Sequence, residues 1–355
     1  KRQGNVAGGE YNIAIGNNSL DALTSADKNT AVGYNAGTQI TTAAENTLLG
    51  YEAGQGIVDG GYNVLIGSLA GDAVADGTGN VAVGRNALGA TTSGLRNIAI
   101  GQNALEDPDT ENDNIGIGYN ALSGTIAGGE FNIAIGSNTL DALTSADSNV
   151  AIGYVSGSAV TTGGNNVAVG ANSMQANTEG THLIALGKGA LASSDTETHN
   201  LAIGFEALVT ANSGGEFNVA IGNYALDALT SADNTVAVGY NAGTALTVGA
   251  DNTFVGAYAG AATVDGASNT CVGNGAGQLG NMTNGHNTLI GYVSGQDLAA
   301  GQKNVFIGEA SGKEATSTEN SVVIGYNAVA TGVMTGNQNT IVGAESGSAL
   351  TSGNI

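Results

Sequence analysis

The stretch Asn12-Ile13-Ala14-Ile15-Gly16-Asn17-Asn18-Ser19-Leu20 returns in varied form along the whole chain, and this recurrence restricts the fold more than any other feature. Aligned on its glycine, the motif gives twenty copies from Gly16 to Gly343, spaced by 17 residues and occasionally by 18. A fixed period kept over so long a distance is the mark of a solenoid, in which identical modules stack and each touches only its neighbours.

Each copy reads Asn, three residues that are apolar or Thr, Gly, two variable residues, a small residue, then Leu or Gly in most copies, followed by a polar stretch. Triplets such as Ile13-Ala14-Ile15, Val81-Ala82-Val83 and Val305-Phe306-Ile307 are short and rich in β-branched residues, which favours strand over helix. A period of 17 residues leaves no room for a helix, a strand and their turns, whereas two short strands and two turns fit. The expected architecture is all-β: a parallel β-solenoid, or β-roll, of about twenty 17-residue coils, forming one elongated domain over residues 1–355. With 59 Gly, one Pro, no Trp and 11% charged residues, the composition is neither that of a helical protein nor that of a disordered one. Lys1-Arg2-Gln3-Gly4 leads almost at once into the first copy and Asn354-Ile355 starts another, so the chain reads as a fragment of a longer fibre.

Side chains alternate along a strand, so the middle residue of each triplet faces away from its two neighbours. The residue before the glycine is Ile, Val or Leu in every copy, as a core ladder would be. This assigns the flanking columns to the coil interior and the middle column to the outside. Yet the middle column is Ala in eleven copies and never polar. An outward apolar column calls for a partner surface, and three copies of the strand around an axis supply one. Ala14, Ala82, Ala99, Ala134, Ala168, Phe254, Cys271 and Phe306 are accordingly the expected homotrimer interface, intertwined or side by side. The column enlarges after about residue 250, where the shaft is expected to widen or repack.

Other columns carry turn chemistry. Asn12 with Gly16, Asn80 with Gly84 and Asn149 with Gly153 are expected to build the turn, Asn by tolerating left-handed backbone and bonding through stacked amides, Gly through a positive φ or a close backbone contact. The position three after the glycine is always Ala, Ser or Thr, so space is short there. The next position is Leu-like in some coils and Gly in others, which interleaves two types of coil. A longer duplication overlies the short one: Asp-Ala-Leu-Thr-Ser-Ala-Asp occurs at Asp21 to Asp27, Asp141 to Asp147 and Asp227 to Asp233.

Chemistry-bearing residues are few. Thirty acidic against eight basic residues give a net charge of −22, which repels nucleic acid and anionic membranes, and no apolar run is long enough to span a bilayer. The three histidines, His182, His199 and His286, share one variable column; His182 and His199 fall on adjacent coils and are the weak metal candidates. Cys271 sits in the apolar middle column as a small hydrophobe. Gly308-Glu309-Ala310-Ser311-Gly312-Lys313 has the wrong spacing for a phosphate loop, and the tandem nonapeptide of calcium-binding rolls is absent. Neither a catalytic group nor a cofactor is expected. Tyr34, Tyr51, Tyr119, Tyr154, Tyr240, Tyr292 and Tyr326 directly follow the aligned glycine. Two readings stand for them: rings stacking on sugars, or rings lying flat over the neighbouring coil.

The strings Asn80-Val81-Ala82-Val83-Gly84-Arg85-Asn86-Ala87 and Asn149-Val150-Ala151-Ile152-Gly153-Tyr154-Val155-Ser156 resemble the head repeat of trimeric autotransporter adhesins. Asn29-Thr30-Ala31-Val32-Gly33-Tyr34-Asn35-Ala36-Gly37 and Asn252-Thr253-Phe254-Val255-Gly256-Ala257-Tyr258-Ala259-Gly260 are similar to repeats in bacteriophage tail fibres. The resemblance implies a left-handed parallel β-roll in a homotrimer and a structural rather than enzymatic role. It implies the shaft of a virion tail fibre that supports host attachment, with a cell-surface receptor or glycan engaged mainly by regions beyond it. The alternative it implies is a bacterial surface adhesin that binds glycans or matrix through the roll itself.

Overall fold

The computed structural model describes residues 9–107, 110–210, 214–331 and 334–347, so the opening Lys1 and the partial copy at Asn354 lie outside the described residues. Two compact units divide the chain, Lys1–Glu179 and Gly180–Ile355. The first holds ten three-residue strands from β1 (Ile13–Ile15) to β10 (Val167–Val169), and the second ten more from β11 (Ile184–Leu186) to β20 (Thr340–Val342). Within each unit every strand pairs in parallel with the next coil's strand, column on column: Val81 beside Ile98, Ala82 beside Ala99, Val83 beside Ile100. Both units are therefore parallel β-solenoids, and among the described residues there is no helix.

Each coil has one strand, not the two expected. The other sides still bond coil to coil, as in Leu20 N–H to the Ala36 carbonyl and Thr24 N–H to the Thr41 carbonyl, but they bend too sharply to run as strands. The bends come from left-handed backbone at fixed places: the residue before the motif Asn (Tyr11, φ 61°), the aligned Gly (Gly16, φ 136°), and the positions two and four beyond it (Asn18, φ 56°; Leu20, φ 49°).

The aligned glycine is required twice over. Its φ lies between 129° and 148° in all twenty coils, a region closed to other residues. Its Cα also faces the next coil's backbone, and a Cβ on Gly153 would stand 2.7 Å from the carbonyl carbon and oxygen of Gly170.

The motif asparagine bonds from coil to coil through its amide as expected, but it is not the left-handed residue. Asn12, Asn80 and Asn149 are not the left-handed residues, which are Tyr11, Gly79 and Ser148 just before them. Asn instead turns its amide inward and cross-links coils. Asn149 Oδ1 accepts the Asn166 backbone N–H at 3.1 Å, and its Nδ2 donates to the Gly163 carbonyl at 3.0 Å. Asn80 does the same toward Asn97 and Gly94. Where the column changes, the acceptor survives: Asn339 N–H donates to Ser321 Oγ at 3.1 Å. This ladder satisfies backbone groups that would otherwise be buried without partners.

The facing of the strand is the main correction. The middle residue is buried and its flanks are exposed or half-buried, in the pattern of Val81-Ala82-Val83. Ala82, Ala99, Ala134, Ala168, Phe254, Cys271 and Phe306 line the coil interior of a single chain and form no outward face. Ala14 points the same way but is half-buried on β1, the first described strand of its stack.

The interior obeys a volume rule. Coils with Ala or Gly at the strand centre mostly carry a large residue four beyond the glycine, as in Ala82 with Leu88, Ala99 with Leu105 and Gly116 with Leu122. Coils with a large centre carry Gly at that corner, as in Leu48 with Gly54, Phe254 with Gly260 and Phe306 with Gly312, except that Val323 is paired with Val329. A Cβ on Gly260 would fall 2.5 Å from Phe254 Cε1, and one on Gly312 2.6 Å from Phe306 Cδ2. In the Ala31–Gly37, Ala151–Gly157 and Ala237–Gly243 coils, where both positions are small, large side chains of adjoining coils reach over the gap: Leu20 and Leu48, Leu140, and Leu226 and Phe254. The larger centres after residue 250 are thus taken up inside the coil by glycine at its corner.

Three substitutions test these assignments. Gly153→Ala is expected to lower stability by about 1–3 kcal/mol in thermal or denaturant unfolding, the scale of one forced backbone conformation. Phe254→Ala should cost about 3–5 kcal/mol through the cavity it leaves. Gly260→Leu alone should also destabilise, whereas Phe254→Ala combined with Gly260→Leu should recover much of the loss, a non-additivity measured directly by the double-mutant cycle.

Candidate functional surfaces

Turning the strand over places Ile, Val, Leu and Thr outside, in two parallel ladders. Ile13, Ile15, Leu49, Ile100 and Ile152 stand exposed in the first unit, and Ile184, Ile290 and Val342 in the second. No charged residue interrupts either column. Ten coils at about 4.8 Å per step, with three residues of strand at about 3.3 Å each, give an uncharged, mainly apolar face of roughly 480 Å² on each unit. A face of this size matches the largest apolar patch of an ordinary monomer, which is often functional.

A second exposed column is the left-handed residue before the motif Asn, where side chains stack on their equivalents one coil away. Lys28 Nζ meets Glu45 Oε1 at 2.9 Å, and Arg96 binds both carboxylate oxygens of Asp113 at 2.6 Å. The bonds from Arg96 hold the Asp113 carboxyl below its usual range. His182, His199 and Phe217 form a continuous stack in this column, with centroids 5.0 and 4.9 Å apart and rings within 17° of parallel. The two histidines are brought together as their spacing requires, but each Nδ1 lies within hydrogen-bond distance of its neighbouring Thr Oγ1, Thr181 or Thr198. Among the described residues no three His, Cys, Asp or Glu side chains converge as a metal site.

The aromatic column after the glycine lies at the next corner. Tyr34 and Tyr51 stack face to face at 5.5 Å and 12°. Tyr34, Tyr51, Tyr119, Tyr154, Tyr240, Tyr292 and Tyr326 keep between 44% and 59% of their surface exposed, so none of them is enclosed and none is wholly free. Tyr292 also borders a shallow groove of about 490 Å³ lined by Glu309, Lys313, Glu314, Asn327 and Glu345. No single column reveals this groove, because its walls come from two corners and several coils.

Cys271 is wholly enclosed in the second unit, and burial raises the pKa of its thiol. A thiol so placed is protonated and shielded. Among the described residues no helix is long and apolar enough to cross a membrane. No family model, curated protein or solved structure matches the chain.

The location of Cys271 can be checked chemically. A thiol reagent such as DTNB should leave it unmodified in the native protein at any concentration and titrate it fully in concentrated guanidinium chloride. Labelling that rises on dilution would instead place the thiol at a contact between subunits.

Proposed function

We propose that the chain is the structural shaft of a homotrimeric fibre, a bacteriophage tail fibre that holds a receptor-binding part away from the particle. The observation carrying this reading is the pair of outward apolar ladders. Each unit by itself presents such a face, of the size that in a lone chain is often functional. The occupant that fits is a second and third copy of the chain, since an identical ladder with the same period matches every coil in register. The strongly acidic surface elsewhere keeps such fibres apart in solution. The repeat strings resembling those of tail fibres and of trimeric adhesins support a fibre, and the reading frame around the chain separates the two settings: tail and baseplate genes nearby for a phage, a barrel in the same frame for a bacterial adhesin.

Sedimentation is the direct test. The wild-type protein should sediment as three times 34.6 kDa. Val83→Asp with Ile100→Asp should yield a folded monomer, because both carboxylates enter the outward ladder and leave the interior intact. Ala82→Asp should unfold its coils instead, since it buries a charge within the chain. A stable wild-type monomer would remove the basis of the proposal.

A further inference from the structure

In the second unit the corner beside the strand carries an unbroken run of aromatic side chains on four successive coils. Phe205, Tyr224, Tyr240 and Tyr258 meet edge to face, with centroids 5.3, 6.2 and 5.3 Å apart and interplanar angles of 79°, 82° and 82°. Lys188 caps the run with its ammonium 5.7 Å from the Phe205 centroid. The core beneath does not need these rings, for Ala207, Ala225, Leu226, Ala242, Phe254 and Ala259 already close it.

Two of the rings also work against backbone preference. Phe205 and Tyr240 directly follow their glycines, but Tyr224 and Tyr258 sit one residue further, at a left-handed position with φ of 59° in both. Nine other coils place Asn there, including Asn18, Asn86, Asn241 and Asn327, because Asn accepts this conformation most easily. Leu69, Val155 and Val293 hold the same position in other coils, so the fold imposes this backbone and the side chain placed on it is the variable part.

We propose that this run is a binding track for an uncharged polysaccharide laid along the direction in which the coils stack. A pyranose presents a face of C–H bonds with partial positive charge, which suits the negative face of an aromatic ring, and its hydroxyls remain free to bond to water or to flanking amides. The ring centroids recur at 5.3 to 6.2 Å, about the length of one sugar, so a chain can meet several rings in turn, by face and by edge as they alternate. Further along the same corner, Tyr292 and its groove offer carboxylates and Asn327 as hydroxyl acceptors and donors. Three of the groove's lining residues are glutamates against one lysine, so an anionic glycan is disfavoured. The track stands on its own observations and holds whether the fibre is viral or bacterial.

Native affinity electrophoresis tests the idea with the whole chain. Gels contain laminarin, hydroxyethyl cellulose or galactomannan as neutral probes, and alginate as an anionic one. At least one neutral polymer should retard the wild type while alginate does not. Tyr224→Asn with Tyr240→Asn, which installs the residue that other coils carry at these corners, should weaken retardation roughly tenfold or more. Phe131→Asn, at the exposed column before the motif Asn in the first unit, should leave it unchanged. Absence of retardation by all three neutral polymers, or equal retardation of the double variant, would overturn the track. So would loss of assembly in the double variant at unchanged circular dichroism, since the rings would then belong to the subunit contact. That result is distinct from failure of the trimer itself, which the wild-type sedimentation reports.

Discussion

A coil of 17 residues bent through four left-handed positions encloses room for only a few large side chains, and the choice of which columns point inward follows from that limit. Interiors pack to near-crystalline density, so a residue that grows must be matched by one that shrinks. Here the strand centre and the corner four residues past the glycine share one space and trade volume, Ala with Leu and Phe with Gly. Had the flanking Ile and Val pointed inward as well, each coil would have been overfilled. Their exclusion from the core creates the bare outer ladders, so the surface open to partners is a by-product of interior packing.

The same confinement governs the polar groups. A sharply bent backbone cannot pair all its N–H and C=O groups in a regular ladder, and those turned inward need other partners. The motif asparagine supplies both an acceptor and a donor in one short side chain, linking its own coil to the backbone of the next. Ser at the tight corner adds a further bond, as Ser156 Oγ does to the Ala168 carbonyl at 3.1 Å and Ser311 Oγ to the Val323 carbonyl at 2.8 Å. The interior of each coil is therefore half oil and half hydrogen-bonded girdle.

The period, the parallel stacking and the demand for glycine were legible in the sequence because each rests on a property of one column taken alone. The facing of the strand was not, because alternation says only that neighbours differ and leaves open which side is inside. Large residues at the flanks and Ala at the centre favour the wrong choice if size is taken as the sign of a core. The deciding signal was present, but between columns: Phe254 coincides with Gly260 and Ala82 with Leu88, and only side chains sharing one cavity compensate in that way. The aromatic run was half visible. Tyr240 stands in the column directly after the aligned glycine, but Tyr224 and Tyr258 stand one residue out of step, and a search of a single column passes over rings that meet across two.

The three near-identical segments beginning at Asp21, Asp141 and Asp227 stand 120 and 86 residues apart, which is seven coils and then five. Because any coil accepts the backbone of any other at the glycine and asparagine positions, recombination between these segments would remove or add whole coils and rejoin the chain in phase. Length thus becomes a heritable quantity that changes in integer steps, without any new fold to be found.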